Sequence, residues 1–95
     1  MPGKIEGKVV SITAAGNLVT DISEEQLVGV PRGDQVVIRC DEHETVGIHQ
    51  ADHNEPEFTF LAFLAPSGFL ELAIVGISAS GMLGIREGES VLIKW

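Results

Sequence analysis

The sequence predicts an all-β fold, a small pseudo-symmetric β-barrel or two-sheet sandwich with one or two short helices. Three observations predict it. Six short runs rich in Val, Ile, Leu or Phe are bounded by Gly, Pro, Asp or Asn, the punctuation expected of strands. Helix signals are few and brief. The chain also echoes itself at an offset of 55 residues.

The runs, in order, are Ile5 to Ile12, Leu18 to Ile22, Gln35 to Arg39, Phe58 to Leu64, Phe69 to Ile74 and Ser90 to Lys94. Thr45 to Gln50 is a weaker strand candidate. Ser23-Glu24-Glu25-Gln26-Leu27 places Gln three residues after Ser, the capping-box pattern of a helix start. Ser78-Ala79-Ser80-Gly81-Met82-Leu83 predicts a turn or two of helix. The echo aligns Leu27 through Arg39 with Met82 through Lys94 without a gap, so that Gly, acid, Val, Ile and a final cation recur in order. Each half therefore has the succession strand, short helix, tight Gly-acid turn, strand. Two such units can pack about a pseudo-twofold axis and pair each other's edges, which leaves few strand edges open.

Ninety-five residues make one domain, spanning 1–95, with room for a single modest core. Hydrophobic residues are 44% and charged residues 21% of the chain, a balance that folds. The net charge of −8 repels phosphate backbones and anionic lipid, so neither nucleic acid nor a membrane is expected as a partner. The longest apolar stretch, Phe58 to Pro66, is too short to span a bilayer. Cys40 is the single cysteine. It can form no intrachain disulfide, suits a reducing cytoplasm, and is expected to serve as a small apolar residue at a strand end. Met1-Pro2-Gly3-Lys4 leads straight into a strand-like run, so no signal peptide is expected.

The densest chemistry lies between Asp41 and Glu57. Asp41, Glu42, His43, Glu44, His49, Asp52, His53, Glu55 and Glu57 crowd together there, and His43, His49 and His53 are all the histidines of the chain. Imidazole and carboxylate are good zinc ligands, so these histidines are candidates for a metal-binding module. His49 and His53 share a face only if the segment is helical, and Val46-Gly47-Ile48 and Asn54-Glu55-Pro56 argue for strand and loop. A solvated acidic loop is the simpler reading, with no bound cofactor. No nucleophile elbow, Walker loop or dinucleotide fingerprint occurs. Ser67 sits in the turn signature Pro66-Ser67-Gly68. Glu71, flanked by Leu70 and Leu72, is expected on the opposite face of its strand.

Several segments together resemble a known family. They are Gly7 to Ile12, Gly16-Asn17-Leu18-Val19-Thr20-Asp21-Ile22, Ser67 to Ile74, Ser78-Ala79 with Leu83-Gly84-Ile85, and Gly88-Glu89-Ser90-Val91. Their order and spacing resemble the C-terminal domain of the S-adenosylmethionine hydroxide adenosyltransferases, relatives of the fluorinase and chlorinase. The resemblance runs from about Lys4 to the C-terminus. It implies a β-domain that recognises adenine, with catalysis residing in a larger N-terminal α/β domain of a neighbouring subunit, usually in a trimer. That domain is not in this sequence, so no complete enzyme and no catalytic residue is expected here. The resemblance places Asn17 at the adenine edge, where an amide offers a donor and an acceptor together. It places Gly76 where backbone meets the base, and Ser67 and Gly68 in a closing turn. Ala15 and Gln50 stand where the family usually has aromatic rings. Ala65 and Pro66 stand for Asn-Ser, and Asp21 for a second asparagine.

Three functions follow as expectations. The first is a stand-alone, non-catalytic binding or assembly module for a nucleoside-like ligand, S-adenosylmethionine or adenosine, possessing only part of the pocket. The second is one half of a split enzyme that docks onto a separately encoded N-terminal domain, or assembles as a homotrimer. Phe58, Phe60, Phe63 and Phe69 are then candidates for the docking face, although core packing also explains them. The third is the histidine metal module.

Overall fold

The computed structural model describes residues 3–95. Met1 and Pro2, expected to lead directly into the first strand, lie outside them. Eight strands form one sheet that curls into a nearly closed barrel: β1 (Lys4–Ile12), β2 (Leu18–Ser23), β3 (Val37–Cys40), β4 (His43–Val46), β5 (Ile48–Gln50), β6 (Phe60–Leu64), β7 (Phe69–Ile74) and β8 (Ser90–Lys94). One α-helix, α1 (Ala79–Leu83), and one 3-10 turn (Glu25–Leu27) complete the elements. The order across the sheet is β4-β3-β8-β1-β2-β7-β6-β5. Of the two predicted architectures, the barrel is the one found.

The echo has a structural counterpart. β3 pairs antiparallel with β8, and Ile38 stands opposite Ile93, its own equivalent at the offset of 55. A pseudo-twofold axis through that pair exchanges β1, β2 and β3 with β6, β7 and β8. β2 meets β7 at the second such junction, with Leu18 opposite Leu72. The symmetry breaks in one place. β1 pairs directly with β8, but the corresponding gap between β6 and β3 is filled by the segment 43–50. Its first half pairs with β3 and its second half runs parallel to β6. The Thr45 hydroxyl donates to the Phe60 carbonyl at 2.8 Å and closes the seam. The acidic, histidine-bearing segment is thus an insertion that wedges the barrel shut.

Local chemistry explains several boundaries. Thr45 to Gln50 is two strands rather than one, because Gly47 at φ 87° turns the chain between them. The third strand starts at Val37 rather than Gln35, since the Val36 amide donates back to the Gly33 carbonyl at 3.3 Å and keeps Asp34 and Gln35 in a turn. The sixth starts at Phe60 rather than Phe58, which lies at φ 68°. The capping box forms as expected, with the Ser23 amide donating to Gln26 Oε1 at 2.9 Å and the Gln26 amide to Ser23 Oγ at 3.4 Å. It encloses a single 3-10 turn. Ser78 Oγ caps α1 by accepting from the Gly81 amide at 3.0 Å, and Gly84, left-handed at φ 69°, ends it.

The barrel interior is apolar. Leu18, Ile22, Leu27, Ile38, Leu70, Leu72, Ile85 and Ile93 are fully buried. Cys40 is buried at the end of β3, as expected of a small apolar residue. Thr20 is the buried polar side chain among the described residues. The β2–β7 ladder is interrupted between Val19 and Ser23. Across that break the Thr20 hydroxyl donates to the Leu70 carbonyl at 2.7 Å and accepts from the Ile22 amide at 3.2 Å. A side chain there completes what the backbone ladder leaves open. Phe58 is no core residue: it is 68% exposed, and Phe69 is exposed as well. Phe60 and Phe63 are half-buried.

Candidate functional site

Asn17 closes the loop between β1 and β2. The loop is held by groups other than its side chain. The Gly16 amide donates to the Thr13 carbonyl at 2.8 Å, the Thr13 amide to the Asn17 carbonyl at 2.9 Å, and the Asn17 amide to Thr13 Oγ1 at 3.0 Å. An asparagine after glycine commonly satisfies its own turn. Here threonine does that work, and the Asn17 carboxamide has no protein hydrogen bond among the described residues.

The loop is anchored to α1. Gly16 sits at φ 88°, and a β-carbon there would lie 2.7 Å from Ser78 Cα. Its carbonyl accepts from the Ser80 amide at 2.9 Å, satisfying one of the free amides of the helix start. Loop and helix thereby frame a hollow of about 310 Å³ lined by Ala15, Asn17, Ile74, Gly76, Ile77 and Ser78. That is the small end of the range for ligand pockets, roughly 300–1,000 Å³. Gly76 lies just past the end of β7 at φ 86° and contributes bare backbone to the lining.

The structure brings Asn17 and Gly76 together but not Ser67 and Gly68. Those two stand at the opposite end of β7, about 20 Å away at the usual rise per strand residue. Pro66, Ser67 and Gly68 form a hairpin loop, with the Gly68 amide donating to the Ala65 carbonyl at 2.9 Å and Gly68 at φ 89°. A type I turn followed by a left-handed glycine has this pattern. Ser67 is exposed. Gly68 instead borders a second hollow of about 390 Å³ that includes Glu24, Gln50, Asp52, Ala65 and Pro66. Gln50, Ala65 and Pro66 therefore belong with Gly68, whereas Ala15 belongs with Asn17.

Asp21 touches neither hollow. Its Oδ1 accepts from the Lys8 amide at 2.9 Å and lies where a side chain on Gly7 would be. The family resemblance sets it beside the adenine positions, but here it joins β2 to β1. Glu71 is half-buried on β7 between Val19 and Phe63.

The histidines fall on three elements, and two of them meet. His43 is on β4, His49 on β5 and His53 in the following loop. The His49 and His53 rings meet edge-on at 6.0 Å, and His53 meets Phe63 at the same distance. His53 Nδ1 accepts from the Glu55 amide at 3.3 Å. Among the described residues no three His, Cys, Asp or Glu side chains converge as a metal site would need. Burial, with Glu89 and then Asp41 adding negative charge nearby, pushes the Cys40 thiol up to about 11. It is therefore a thiol rather than a reactive thiolate at neutral pH.

Residues 7–92 match the family of the SAM hydroxide adenosyltransferase C-terminal domain. The chain belongs to that family. No curated protein matches it. Among solved structures, an uncharacterised conserved protein from Thermotoga maritima shares 28% identity at a TM-score of 0.76, covering 95% of this chain and 35% of that one. A conserved hypothetical protein from Thermus thermophilus shares the fold at a TM-score of 0.68 and 23% identity, covering 93% of this chain and 32% of that one. The chain thus spans about a third of the solved chains it matches. No helix among the described residues is long and apolar enough to cross a membrane.

Proposed function

We propose that this domain is a non-catalytic binding module that takes the base of a nucleoside-type ligand, adenosine or S-adenosylmethionine, in the hollow between Asn17 and Gly76. One observation carries the reading: the Asn17 carboxamide lines that hollow without a protein partner, while Thr13 holds the turn in its place. A carboxamide offers a donor and an acceptor side by side, as the edge of adenine does in the complementary sense. Membership of the adenosyltransferase C-terminal family supports the same ligand class. Isothermal titration with adenosine tests it. Binding that Asn17→Ala weakens, without loss of thermal stability, is the expected result. No heat and no shift at millimolar adenosine would end the nucleoside reading.

A second reading has its own support. The matched solved chains are about three times as long as the segment they share with this one, and Phe69 and Met82 are exposed apolar side chains. The domain would then dock onto a separate α/β domain, or assemble as a homotrimer, to complete an adenosyltransferase. Light scattering alone and with a co-encoded candidate partner distinguishes these assemblies from a monomer.

A further inference from the structure

We propose that the end of the barrel at Gly3 and Trp95 is a second binding site, one that takes a carboxylate carried on an apolar body. It lies at the opposite end of β1 from the Asn17 loop and does not depend on the reading of that loop. Gly3 and Trp95 exchange both backbone hydrogen bonds, at 2.8 and 3.0 Å. The next pair along, Lys4 and Lys94, therefore stands in a non-hydrogen-bonded position of the β1–β8 ladder, where side chains approach most closely. Like charges directly opposite one another destabilise a sheet. Across β3 and β4 the chain obeys that rule, with Arg39 opposite Glu44. The lysine pair is the exception, in a chain with six cations against fourteen acids.

The protein does little to compensate the two charges. Among the described residues the one ion pair is Lys4 with Glu6, at 3.5 Å between side chains 66% and 71% exposed. Such a pair contributes little in water. Lys94 has no carboxylate within ion-pair reach among those residues, and its neighbour on the other side is Val37. Beside the two ammonium groups is an open hollow of about 390 Å³ lined by Gly3, Lys4, Lys94 and Trp95. The indole packs against the core and over Gly3, where a β-carbon would lie 2.5 Å from its Cζ2. It is a fixed apolar wall, and the lysine stems extend it. Apolar surface with two cations at its rim selects an anionic head on an apolar tail. One carboxylate answers both lysines, whereas a polyanion meets repulsion from the rest of a chain whose net charge is −8.

Trp95 is the one tryptophan of the chain, so its fluorescence reports on the site directly. Titration with sodium hexanoate should change that fluorescence saturably, and more weakly as sodium chloride is raised. Hexanamide has the tail without the charge and inorganic phosphate the charge without the tail. Each should bind at least about fivefold more weakly than hexanoate. Lys94→Gln should weaken hexanoate binding by about 3- to 10-fold, the loss of one exposed charge-assisted hydrogen bond. It should melt no lower than wild type, because it removes one of two facing like charges. Lys8→Gln, at the far end of the same face of β1, should bind as wild type does. No saturable change at tens of millimolar hexanoate would overturn the site. Hexanamide or phosphate binding as tightly as hexanoate would overturn the ligand class, and equal binding by Lys94→Gln and wild type the role of the lysines. A fall of more than about 5 °C in the melting of Lys94→Gln would also overturn the inference, by making that lysine a support of the fold.

Discussion

Thr20→Val is the sharpest test of how this barrel holds together. The hydroxyl is fully buried and bridges the interrupted β2–β7 ladder, with 2.7 Å to the Leu70 carbonyl and 3.2 Å to the Ile22 amide. Valine replaces the hydroxyl by a methyl of similar size, so no cavity opens. The two backbone groups lose their partner where water cannot enter. A buried polar group left unsatisfied costs about 1–3 kcal/mol, so the two together cost about 2–4 kcal/mol, the carbonyl being the cheaper because it has a second lone pair. A domain of this size holds about 5–14 kcal/mol in all, so the loss is a large share. Urea unfolding followed by circular dichroism and by Trp95 fluorescence measures it. Thr20→Ser is the control: it retains the hydroxyl and loses one buried methyl, about 1 kcal/mol. A Thr20→Val protein within about 0.5 kcal/mol of wild type would refute the reasoning. So would a serine variant as unstable as the valine one.

Gly16→Ala should cost about 2–5 kcal/mol, combining a left-handed backbone with a β-carbon forced onto Ser78; a loss under about 1 kcal/mol by thermal melting would contradict the anchoring of the loop to α1. Asn17→Ala should leave the melting temperature within a few degrees of wild type, because the amide holds no turn, and should reduce adenosine binding in calorimetry. Cys40 sets a pH dependence. In the unfolded chain the thiol ionises near 9.0, whereas in the fold it ionises near about 11. Between those values the folded state retains a proton that the unfolded state has lost, so stability falls as pH rises through that window. Below it the thiol is neutral in both states and contributes no slope. Cys40→Ala should show a shallower decline in urea melts across the window, and equal slopes in the two proteins would disprove it. Gln26→Ala should cost about 0.5–1 kcal/mol through the broken capping box, read in the same melts.

Much of the barrel was legible in the order of residues. Short runs rich in Val, Ile, Leu or Phe between turn residues marked six of the eight strands, because β-branched and apolar side chains favour the extended backbone and Gly, Pro, Asp and Asn interrupt it. The offset repeat carried the pseudo-twofold axis, since equivalent segments can pair only through equivalent positions, as Ile38 and Ile93 do. The capping box was local enough to be specified by Ser23 and Gln26 alone. Family membership was likewise legible, because it resides in the order of short motifs.

Other features depended on distance in space. The split of 43–50 into two strands on two partners was hidden, since the wedge is decided by the gap that β3 and β6 leave and by one left-handed glycine. Asn17, Ser67, Gly68 and Gly76 were one set in the sequence, yet β7 is rigid and holds Gly68 and Gly76 at its two ends. The identity of the group that satisfies the loop at Asn17 was equally hidden. Thr13 and Asn17 could each do it, and only the folded loop selects the threonine hydroxyl. Residue order alone determined which backbone forms each short segment takes. Tertiary structure decided which side chains were left over, and the Asn17 amide is one of them.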